Sequence, residues 1–398
     1  MAVIVPSKSS DHTFSISNII SRFRSKRRPD SKNTGTQNHG KQPILDTRPP
    51  LIPSPLALVL PEHQHSLPTL GWTTITFPQP HDPAHHPAPN DTSPAPIPGP
   101  HPLQLAYEAL FAASQAFFRL PDAEKAQWKH KLGSEEGWSK IRGEKEFITL
   151  RTLEYCPEIL RGPAKTYWDL MGAYCDSALG RISTSLDLPD TELGGMRKFV
   201  GRCKNMPEQE EDKTATMLRL FRYEGWDAKV VAEPHSDLGL LSVVVGNVPG
   251  LEVRDGHGWF EVERQVAAAG MKGASLLVGR QLERLSNHRY GAGGHRVVSY
   301  GLPTVDSDER AALPEGDVGR YRFSIVFVLR ADEPVMVDSD ELETEVTGKW
   351  EEGIKGVTAG EMYEGIRRKH YNINIDVAER EKQRRGIEKA KANGKGSG

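Results

Sequence analysis

From about residue 215 onward, the chain alternates short apolar runs with polar turns. The runs are rich in β-branched residues, are separated by Gly, Asn and Asp, and read MLRLFRY, LLSVVVG, LEVRDGHGWFEVE, ASLLVG, HRVVSYGL and YRFSIVFVLR. Runs of this length are typical of strands, and RDGHG is typical of a hairpin turn. Because no helical pattern separates the runs, the sequence predicts an antiparallel sandwich or barrel.

Before residue 215 the apolar residues recur with helical periodicity. LQLAYEALFAASQAFFRL predicts one helix, and LPDAEKAQWKHK predicts a second with Asp122 as its N-cap. GPAKTYWDLMGAYCDSALGRISTSLDLP carries the clearest apolar stripe and predicts a helix that starts near Pro163 and stops at Pro189. The alternation in LPTLGWTTITFP indicates a strand, and GEMYEGIRRKHY indicates a last helix.

These patterns divide the chain into four segments. Residues 1–55 are basic, poor in aromatic residues and expected to form a disordered arm, although a mitochondrial presequence or a nuclear import signal at RSKRRPDSK has a similar composition. A helical N-terminal region is expected over residues 56–210 and the strand-rich domain over residues 211–375. Residues 376–398 are charged and poor in apolar residues, which predicts a frayed helix or a disordered tail.

A proline-rich and histidine-rich stretch interrupts the helical region at residues 78–102. Its prolines favour an extended chain without internal hydrogen bonds. His81, His85 and His86 lie within it. A flexible loop has no preorganised ligand geometry, so we expect a loop here and no metal site.

Composition excludes several classes of function. The net charge of −2 gives no basic field for nucleic acid. The three cysteines are scattered and odd in number, which argues against a disulfide framework and favours a reducing compartment. The apolar runs are far shorter than the roughly 20 residues that a membrane span needs. We therefore expect a cytoplasmic monomer that binds neither nucleic acid nor membrane, with mitochondrial targeting by the N-terminal arm as the alternative.

One polar pair in the strand-rich region has the spacing of metal ligands. His235 and Asp237 stand in HSD, directly before an apolar run, and residues i and i+2 of a strand point to the same face. With a histidine from a distant strand they would form a 2-His-1-carboxylate triad, which leaves coordination positions open for ferrous iron. An incidental polar pair at the start of a strand after Pro234 is the alternative.

Two further features lie downstream of this pair. His295 starts the β run HRVV, and Arg322 and Ser324 are i and i+2 in YRFSIVF. A guanidinium and a hydroxyl on one strand face can bind a carboxylate by charge-assisted hydrogen bonds. An arginine buried without a partner in an apolar strand would be costly, so we expect an anionic ligand there.

The ordered blocks LRLFRY, HSD with LLSVVVGNVPGLEVRDGHGWFEV, GRQLERLSNHRYGAGGHRVV and RFSIVF resemble the isopenicillin N synthase-like 2-oxoglutarate- and Fe(II)-dependent dioxygenases. LPDAEKAQW and EEGWSKIRGEKEFITLR resemble the helical N-terminal region of that family, so the resemblance covers roughly residues 56–370. It implies a mainly β fold with flanking helices, in which a double-stranded β-helix (a jelly-roll, cupin-like core) follows the helical N-terminal region.

The resemblance also assigns roles to residues. It implies that three side chains ligate Fe(II): His235, Asp237 and His295. Arg322 and Ser324 would hold the distal carboxylate of 2-oxoglutarate, and Tyr223 would add a hydroxyl contact to it. Two departures matter. Glu224 stands where the family has a proline after that tyrosine, and the segment between His295 and Arg322 is longer than usual, with a polar, turn-rich insertion that predicts a surface loop.

The implied activity is oxidation of a small organic metabolite by O₂, as hydroxylation, desaturation or cyclisation, coupled to conversion of 2-oxoglutarate to succinate and CO₂. Isopenicillin N synthase itself uses its RxS motif for a substrate carboxylate, so an oxidase without 2-oxoglutarate is one alternative. A non-catalytic binding protein on the same fold and a zinc hydrolase are others. Phe221, Leu241 and Val243 are expected in the core, and His257 in an exposed turn.

Overall fold

The computed structural model describes residues 46–77, 100–129, 135–225, 227–301, 321–375 and 377–394. The greater part of the N-terminal arm lies outside the described residues. So do most of the histidine-rich stretch, with His81, His85 and His86, and the insertion before Arg322.

Thirteen strands lie within the described residues. They are β1 Trp72–Phe77, β2 Gly137–Ile141, β3 Lys145–Leu150, β4 Met217–Glu224, β5 Ala228–His235, β6 Leu241–Gly246, β7 Leu251–Arg254, β8 Trp259–Phe260, β9 Lys272–Val278, β10 His295–Tyr300, β11 Tyr321–Leu329, β12 Met336–Val337 and β13 Val357–Thr358.

Eight α-helices lie within the same part of the chain. They are α1 Ser66–Leu70, α2 Pro102–Arg119, α3 Asp122–Lys125, α4 Glu158–Ser185, α5 Val262–Ala268, α6 Arg280–Leu285, α7 Ala359–Arg367 and α8 Val377–Gly394. Short 3₁₀ helices occupy Pro61–His63, Ala126–Trp128, Arg197–Phe199, Gly201–Lys204, Glu210–Asp212 and Asp340–Leu342.

The strands form two main antiparallel sheets. A seven-stranded sheet has the order β1-β9-β6-β11-β4-β3-β2, and a four-stranded sheet has the order β5-β10-β7-β8. A small third sheet pairs β12 with β13. The antiparallel sandwich predicted from the sequence is therefore present, and strands from before residue 211 complete its larger sheet.

Strand β11 shows how the sequence places the two faces of the larger sheet. Phe323 and Phe327 point to the helical side, where the ring of Phe327 lies 5.4 Å from that of Trp168 in α4. Such fully buried side chains contribute about 1.5–3 kcal/mol each. Arg322 and Ser324 alternate with these residues and therefore point into the space between the two sheets.

The space between the sheets is filled by an apolar cluster drawn from both of them. Its buried members are Trp72, Phe147, Phe221, Tyr223, Val231, Ala232, Val244, Leu251, Val253, Val262, Leu277 and Val297. Leu241 and Val243 belong to the second cluster, on the helical side. The expectation that Phe221, Leu241 and Val243 lie in the core is confirmed.

Three local expectations need correction or refinement. Helix α4 begins at Glu158, so Pro163 lies inside the helix; the burial of Leu160 and Ala164 explains why the first turn forms despite the proline. The strand-rich region is not free of helices, because α5 and α6 flank β9. Asp122 is the first residue of α3, whose N-cap is Pro121.

Several other features agree with the sequence. The RDGHG segment is a hairpin turn, since Arg254 pairs with Trp259 across β7 and β8, and His257 is exposed. All three cysteines are free and buried. Within the described residues, every helix is too short or too polar to cross a membrane.

Candidate metal centre

Strand pairing brings the two candidate histidines together. His235 is the last residue of β5 and His295 is the first residue of β10, and the two are directly opposite each other in the antiparallel ladder. Opposed residues on one sheet face have neighbouring side chains. The two imidazole rings accordingly lie 4.2 Å apart between centroids. Asp237 follows two residues beyond the end of β5.

The ligand atoms of His235, Asp237 and His295 converge. They all lie within 4.8 Å of one another. Nε2 of His235 is 3.7 Å from Oδ1 of Asp237, and Nε2 of His295 is 3.7 Å from Oδ2 of the same carboxylate. These separations are too long for hydrogen bonds, so a gap remains at the centre of the three groups.

The second nitrogen of each imidazole fixes its tautomer. Nδ1 of His235 lies 2.7 Å from the carbonyl oxygen of Glu233, and Nδ1 of His295 lies 3.1 Å from that of Gly293. A carbonyl oxygen only accepts, so each Nδ1 carries the hydrogen and each Nε2 presents a lone pair toward Asp237. Metal-binding histidines are commonly oriented in this way.

The electrostatics of the three side chains fit a cation. Burial, together with the proximity of His295, holds the pKa of His235 well below its usual range, so this imidazole is neutral. Oδ2 of Asp237 is buried and has no hydrogen-bond partner among the described residues. Two nitrogen lone pairs and a carboxylate that face one another repel unless a positive ion lies between them, and nitrogen and oxygen donors in a His/Asp/His set suit Fe(II).

Arg322, Ser324 and Tyr223 form a second cluster. The guanidinium carbon of Arg322 lies 5.5 Å from the ring of Tyr223, which is its opposite residue on β4. Nη2 of Arg322 donates to both carboxylate oxygens of Glu263, at 2.9 Å each, and Nε donates to the carbonyl of Val248 at 3.2 Å. Nη1 and the Ser324 hydroxyl are buried without partners among the described residues.

Two glycines make room for this guanidinium. A Cβ at Gly250 would lie 2.5 Å from Nε of Arg322, and a Cβ at Gly246 would lie 2.6 Å from Nη2. The backbone amides of Gly250 and Leu251 both donate to Oε2 of Glu263, at 2.9 and 2.8 Å. The fixed carboxylate of Glu263 therefore holds Arg322 against the backbone. Nη1 of Arg322 remains available as a hydrogen-bond donor to a ligand.

A cavity of about 1190 Å³ opens beside the candidate metal centre. His235 and Asp237 line it, whereas the described residues Arg322, Ser324 and Tyr223 do not. Arg322 is adjacent to Gly250, which lies next to Val298 of β10. Val298 is three residues from His295, and that is about 10 Å along a strand. The triad and the Arg322 cluster are thus two separate groups of side chains.

Helix α8 covers one side of the cavity and is tied to the strand of His235. Arg380 is buried and donates to Glu144 at 2.6 and 2.7 Å and to Glu233 at 3.1 Å, and Arg384 reaches Glu233 at 2.5 Å. Of the two alternatives expected for the tail, the structure has a helix over Val377–Gly394. Its charged residues make specific ion pairs with the sandwich.

Sequence reasoning missed four side chains around these sites. Glu263 lies on α5 and its contact with Arg322 could not be inferred from spacing. Arg219 precedes Tyr223 by four residues on β4, so strand alternation already placed it on the inner face. Lys145 is opposite Tyr223 on β3 and points inward as well. The carboxylate of Glu233 was likewise overlooked.

Comparison with solved structures identifies the fold. The chain is similar to an oxygenase of the 2OG-Fe(II) family from Caulobacter crescentus, with a TM-score of 0.51, 19% identity, and coverage of 78% of this chain and 93% of that chain. The chain is also similar to a full-length Neurospora crassa protein in complex with alpha-KG and 5-formyluracil. The TM-score is 0.50 and the identity 18%, with coverage of 75% of this chain and 86% of that chain. For the rice dioxygenase for auxin oxidation, the TM-score is 0.50 and the identity 18%, with coverage of 76% of this chain and 86% of that chain.

The fold is that of the 2-oxoglutarate- and iron-dependent oxygenases. This confirms the predicted jelly-roll core with its flanking helices. Among curated proteins, the chain is 34% identical over 106 residues to "Probable flavonol synthase 6" of Arabidopsis thaliana. That match spans 26% of this chain and only 34% of the relative's length. No family model matches the chain.

Proposed function

We propose that this protein is a non-haem Fe(II)- and 2-oxoglutarate-dependent dioxygenase that oxidises a small organic metabolite. The observation that carries the proposal is the convergence of His235, Asp237 and His295, with both Nδ1 atoms committed to backbone carbonyls. The 2OG-Fe(II) oxygenase fold and the ordered sequence motifs support it. Hydroxylation, desaturation and cyclisation are all compatible with this site.

Each group of side chains has a distinct task in this proposal. His235, Asp237 and His295 would hold Fe(II) beside the cavity that His235 and Asp237 line. Arg322, through its uncommitted Nη1, and Ser324, through its hydroxyl, bind the distal carboxylate of 2-oxoglutarate. When bound, the metal and the cosubstrate supply the activation of O₂ and the oxidation of a C–H bond, with release of succinate and CO₂.

The chain itself supplies orientation and exclusion of water. The carbonyls of Glu233 and Gly293 keep both imidazoles in the metal-binding tautomer. Tyr223 is buried, and its burial raises the pKa of its hydroxyl to about 12, so it remains a neutral hydrogen-bond donor beside Arg322. Gln383, Gly386 and Ile387 of helix α8 form part of the cavity wall.

An anaerobic titration with Fe(II) and 2-oxoglutarate tests the proposal. The two together should give a weak visible charge-transfer band that is absent in His235→Ala. His257→Ala, which removes an exposed imidazole from the hairpin turn, is the matched control and should retain the band. Iron binding without a band, and without succinate release on addition of oxygen and a metabolite library, would refute the use of 2-oxoglutarate.

The pairing of Arg322 with Glu263 favours a second candidate, an oxidase that uses Fe(II) and O₂ without 2-oxoglutarate. Because Glu263 already compensates the charge of Arg322, the guanidinium attracts a dianionic cosubstrate less strongly. Under this alternative the same titration gives tight iron binding and oxygen consumption with substrate, yet no dependence on 2-oxoglutarate.

We further propose that the protein acts as a cytoplasmic monomer on small molecules and not on nucleic acid. Three free, buried cysteines fit a reducing compartment, and the net charge of −2 provides no attraction for a polyanion. Sedimentation of the full chain at the monomer mass, and unchanged sedimentation with duplex DNA or RNA, are the expected results.

A further inference from the structure

The cavity beside the candidate metal centre carries an excess of positive charge. We propose that the prime substrate of this protein is an organic acid whose anionic group binds to Arg219. This inference rests on the proposed function, because it assigns the cavity to the substrate and leaves the Arg322 cluster to the cosubstrate.

The guanidinium of Arg219 is fixed by neighbouring side chains and faces the cavity. It is on the inner face of β4, and its side chain is 12% exposed, with the exposed part in the cavity that His235 and Asp237 also line. Nε donates to the hydroxyl of Thr149 at 2.7 Å, and the guanidinium packs on Phe147 at 5.5 Å from its ring centre. The terminal nitrogens have no hydrogen-bond partner among the described residues.

The nearest carboxylate compensates the charge of Arg219 only in part. Oε1 of Glu135 lies 4.0 Å from Nη2 of Arg219, whereas Oε2 of Glu135 accepts from Nη1 of Arg330 at 2.5 Å. Two buried guanidiniums thus share one carboxylate, which leaves one uncompensated positive charge in this wall. Asp237 also faces the cavity, but the proposed function commits its charge to the metal.

The outer part of the cavity adds to this excess. Arg254, Arg368 and Lys369 line it, and no described carboxylate lies within 4 Å of any of them. The guanidinium of Arg254 instead lies 4.9 Å from the ring centre of Trp259. These three exposed positive charges add to the positive potential that an anion meets in the cavity.

Part of the remaining wall is apolar, and this part indicates the body of the ligand. Met217, Leu238, Val328, Ile373 and Ile387 line the same cavity. A charged metabolite without an apolar part would leave these side chains in contact with water. The walls therefore fit an aromatic or aliphatic acid, with a carboxylate, sulfonate or similar monoanionic group.

A matched pair of fluorescent probes tests the inference on the full-length protein with Fe(II) and 2-oxoglutarate under anaerobic conditions. 8-Anilinonaphthalene-1-sulfonate and N-phenyl-1-naphthylamine share an aromatic body, and only the first carries an anion. We expect the sulfonate to bind more than about tenfold tighter, and octanoate but not octanamide to displace it.

Three variants assign the preference to one residue. Arg219→Gln should abolish the preference for the sulfonate, and Arg219→Lys should restore part of it, which separates loss of charge from loss of fold. Arg161→Gln, on the exposed side of α4, is the control and should keep the preference. Equal binding of the two probes to the natural protein, or an undiminished preference in Arg219→Gln, would overturn the inference.

The charge-transfer band separates this test from that of the proposed function. If the natural protein gives no band, the proposed function fails, whichever probe binds. If Arg219→Gln loses 2-oxoglutarate affinity as strongly as it loses the sulfonate, Arg219 anchors the cosubstrate, and the assignment to the prime substrate is wrong.

Discussion

Nη2 of Arg322 lies 2.9 Å from both carboxylate oxygens of Glu263. The two side chains are 4% and 13% exposed, so the pair is largely shielded from water. Because Glu263 is also held by two backbone amides, it fixes one side of the guanidinium and leaves Nη1 for a ligand. The chain thus carries its own counter-ion beside the proposed cosubstrate site.

Removing this counter-ion should destabilise the protein in a way that 2-oxoglutarate partly reverses. Glu263→Ala leaves Arg322 buried without a carboxylate, which we expect to cost about 3 kcal/mol of unfolding free energy. The ligand carboxylate can then compensate the guanidinium, so 2-oxoglutarate with Fe(II) should raise the Tm of the variant more than that of the natural protein. Thermal unfolding under anaerobic conditions measures both effects.

Glu261→Ala is the control for this comparison, because Glu261 lies next to α5 and pairs with the half-exposed Arg264. It should change neither the Tm nor the ligand-induced shift appreciably. A Glu263→Ala protein as stable as the natural one, with the same shift on addition of 2-oxoglutarate, would show that Glu263 is not the counter-ion of Arg322 in solution.

Loss of Arg322 should separate cosubstrate binding from metal binding. In Arg322→Ala we expect the affinity for 2-oxoglutarate to fall by roughly 10- to 100-fold, the amount expected for a charge-assisted hydrogen bond. Iron affinity should change little, because Arg322 contacts none of the three candidate ligands. Calorimetric titrations with each ligand provide the measurement. Equal losses of iron and 2-oxoglutarate affinity would contradict the separate roles.

The sequence predicted the strands and the candidate ligands because their signals are local. Alternation in YRFSIVF places Arg322 and Ser324 on one face, and the structure has them both pointing between the sheets. The spacing in HSD required a strand that continues to Asp237. Strand β5 instead ends at His235, so the convergence depends on the chain's path after the strand as well as on alternation.

The missing parts of the site depend on contacts between distant segments. Glu263 reaches Arg322 across 59 positions of the chain, through a helix that the sequence pattern did not indicate. The carboxylate of Glu233 pairs with Arg380, which stands in a tail that composition alone marks as solvated. Composition describes a segment in isolation, whereas ion pairs with the sandwich decide whether that segment folds.

Lys145 should give the protein a pH-dependent stability. Burial, followed by the positive charge of Arg380, lowers the pKa of Lys145 to about 7, whereas an unfolded lysine titrates near 10.4. Between these values the unfolded chain binds the additional proton, so the unfolding free energy should rise as the pH increases from about 7 to about 10. Below about pH 7 the Lys145 amine is protonated in the folded protein as well, so the burial of its charge lowers the unfolding free energy by the full amount.

Lys145→Met should remove this contribution to the pH dependence. Urea unfolding at pH 7 and pH 9 is the measurement, and the gain in stability of Lys145→Met over the natural protein should be larger at pH 7. Lys355→Met, at an exposed lysine, is the control and should leave the pH dependence unchanged. An identical pH dependence in Lys145→Met and the natural protein would mean that the amine is solvated.

The tie between helix α8 and the candidate metal centre runs through Glu233 and can be tested from both ends. The carbonyl of Glu233 accepts from Nδ1 of His235, while its carboxylate accepts from Arg380, Arg384 and the hydroxyl of Tyr371. Glu233→Gln removes the charge and keeps the backbone carbonyl, so it separates the support of the helix from the orientation of the metal ligand.

In Glu233→Gln we expect helix α8 to open more often, with hydrogen exchange over residues 377–394 faster by about tenfold or more. The reason is that each ion pair lost from a buried arginine costs about 1–3 kcal/mol. Iron affinity should stay within about threefold, because the His235 tautomer is still fixed by the carbonyl.

Glu381→Gln, which removes a carboxylate that pairs with Arg384 within the helix, is the control and should leave exchange nearly unchanged. Strong loss of iron binding in Glu233→Gln without faster exchange in the helix would show that the carboxylate acts on the metal ligands and not on the cover.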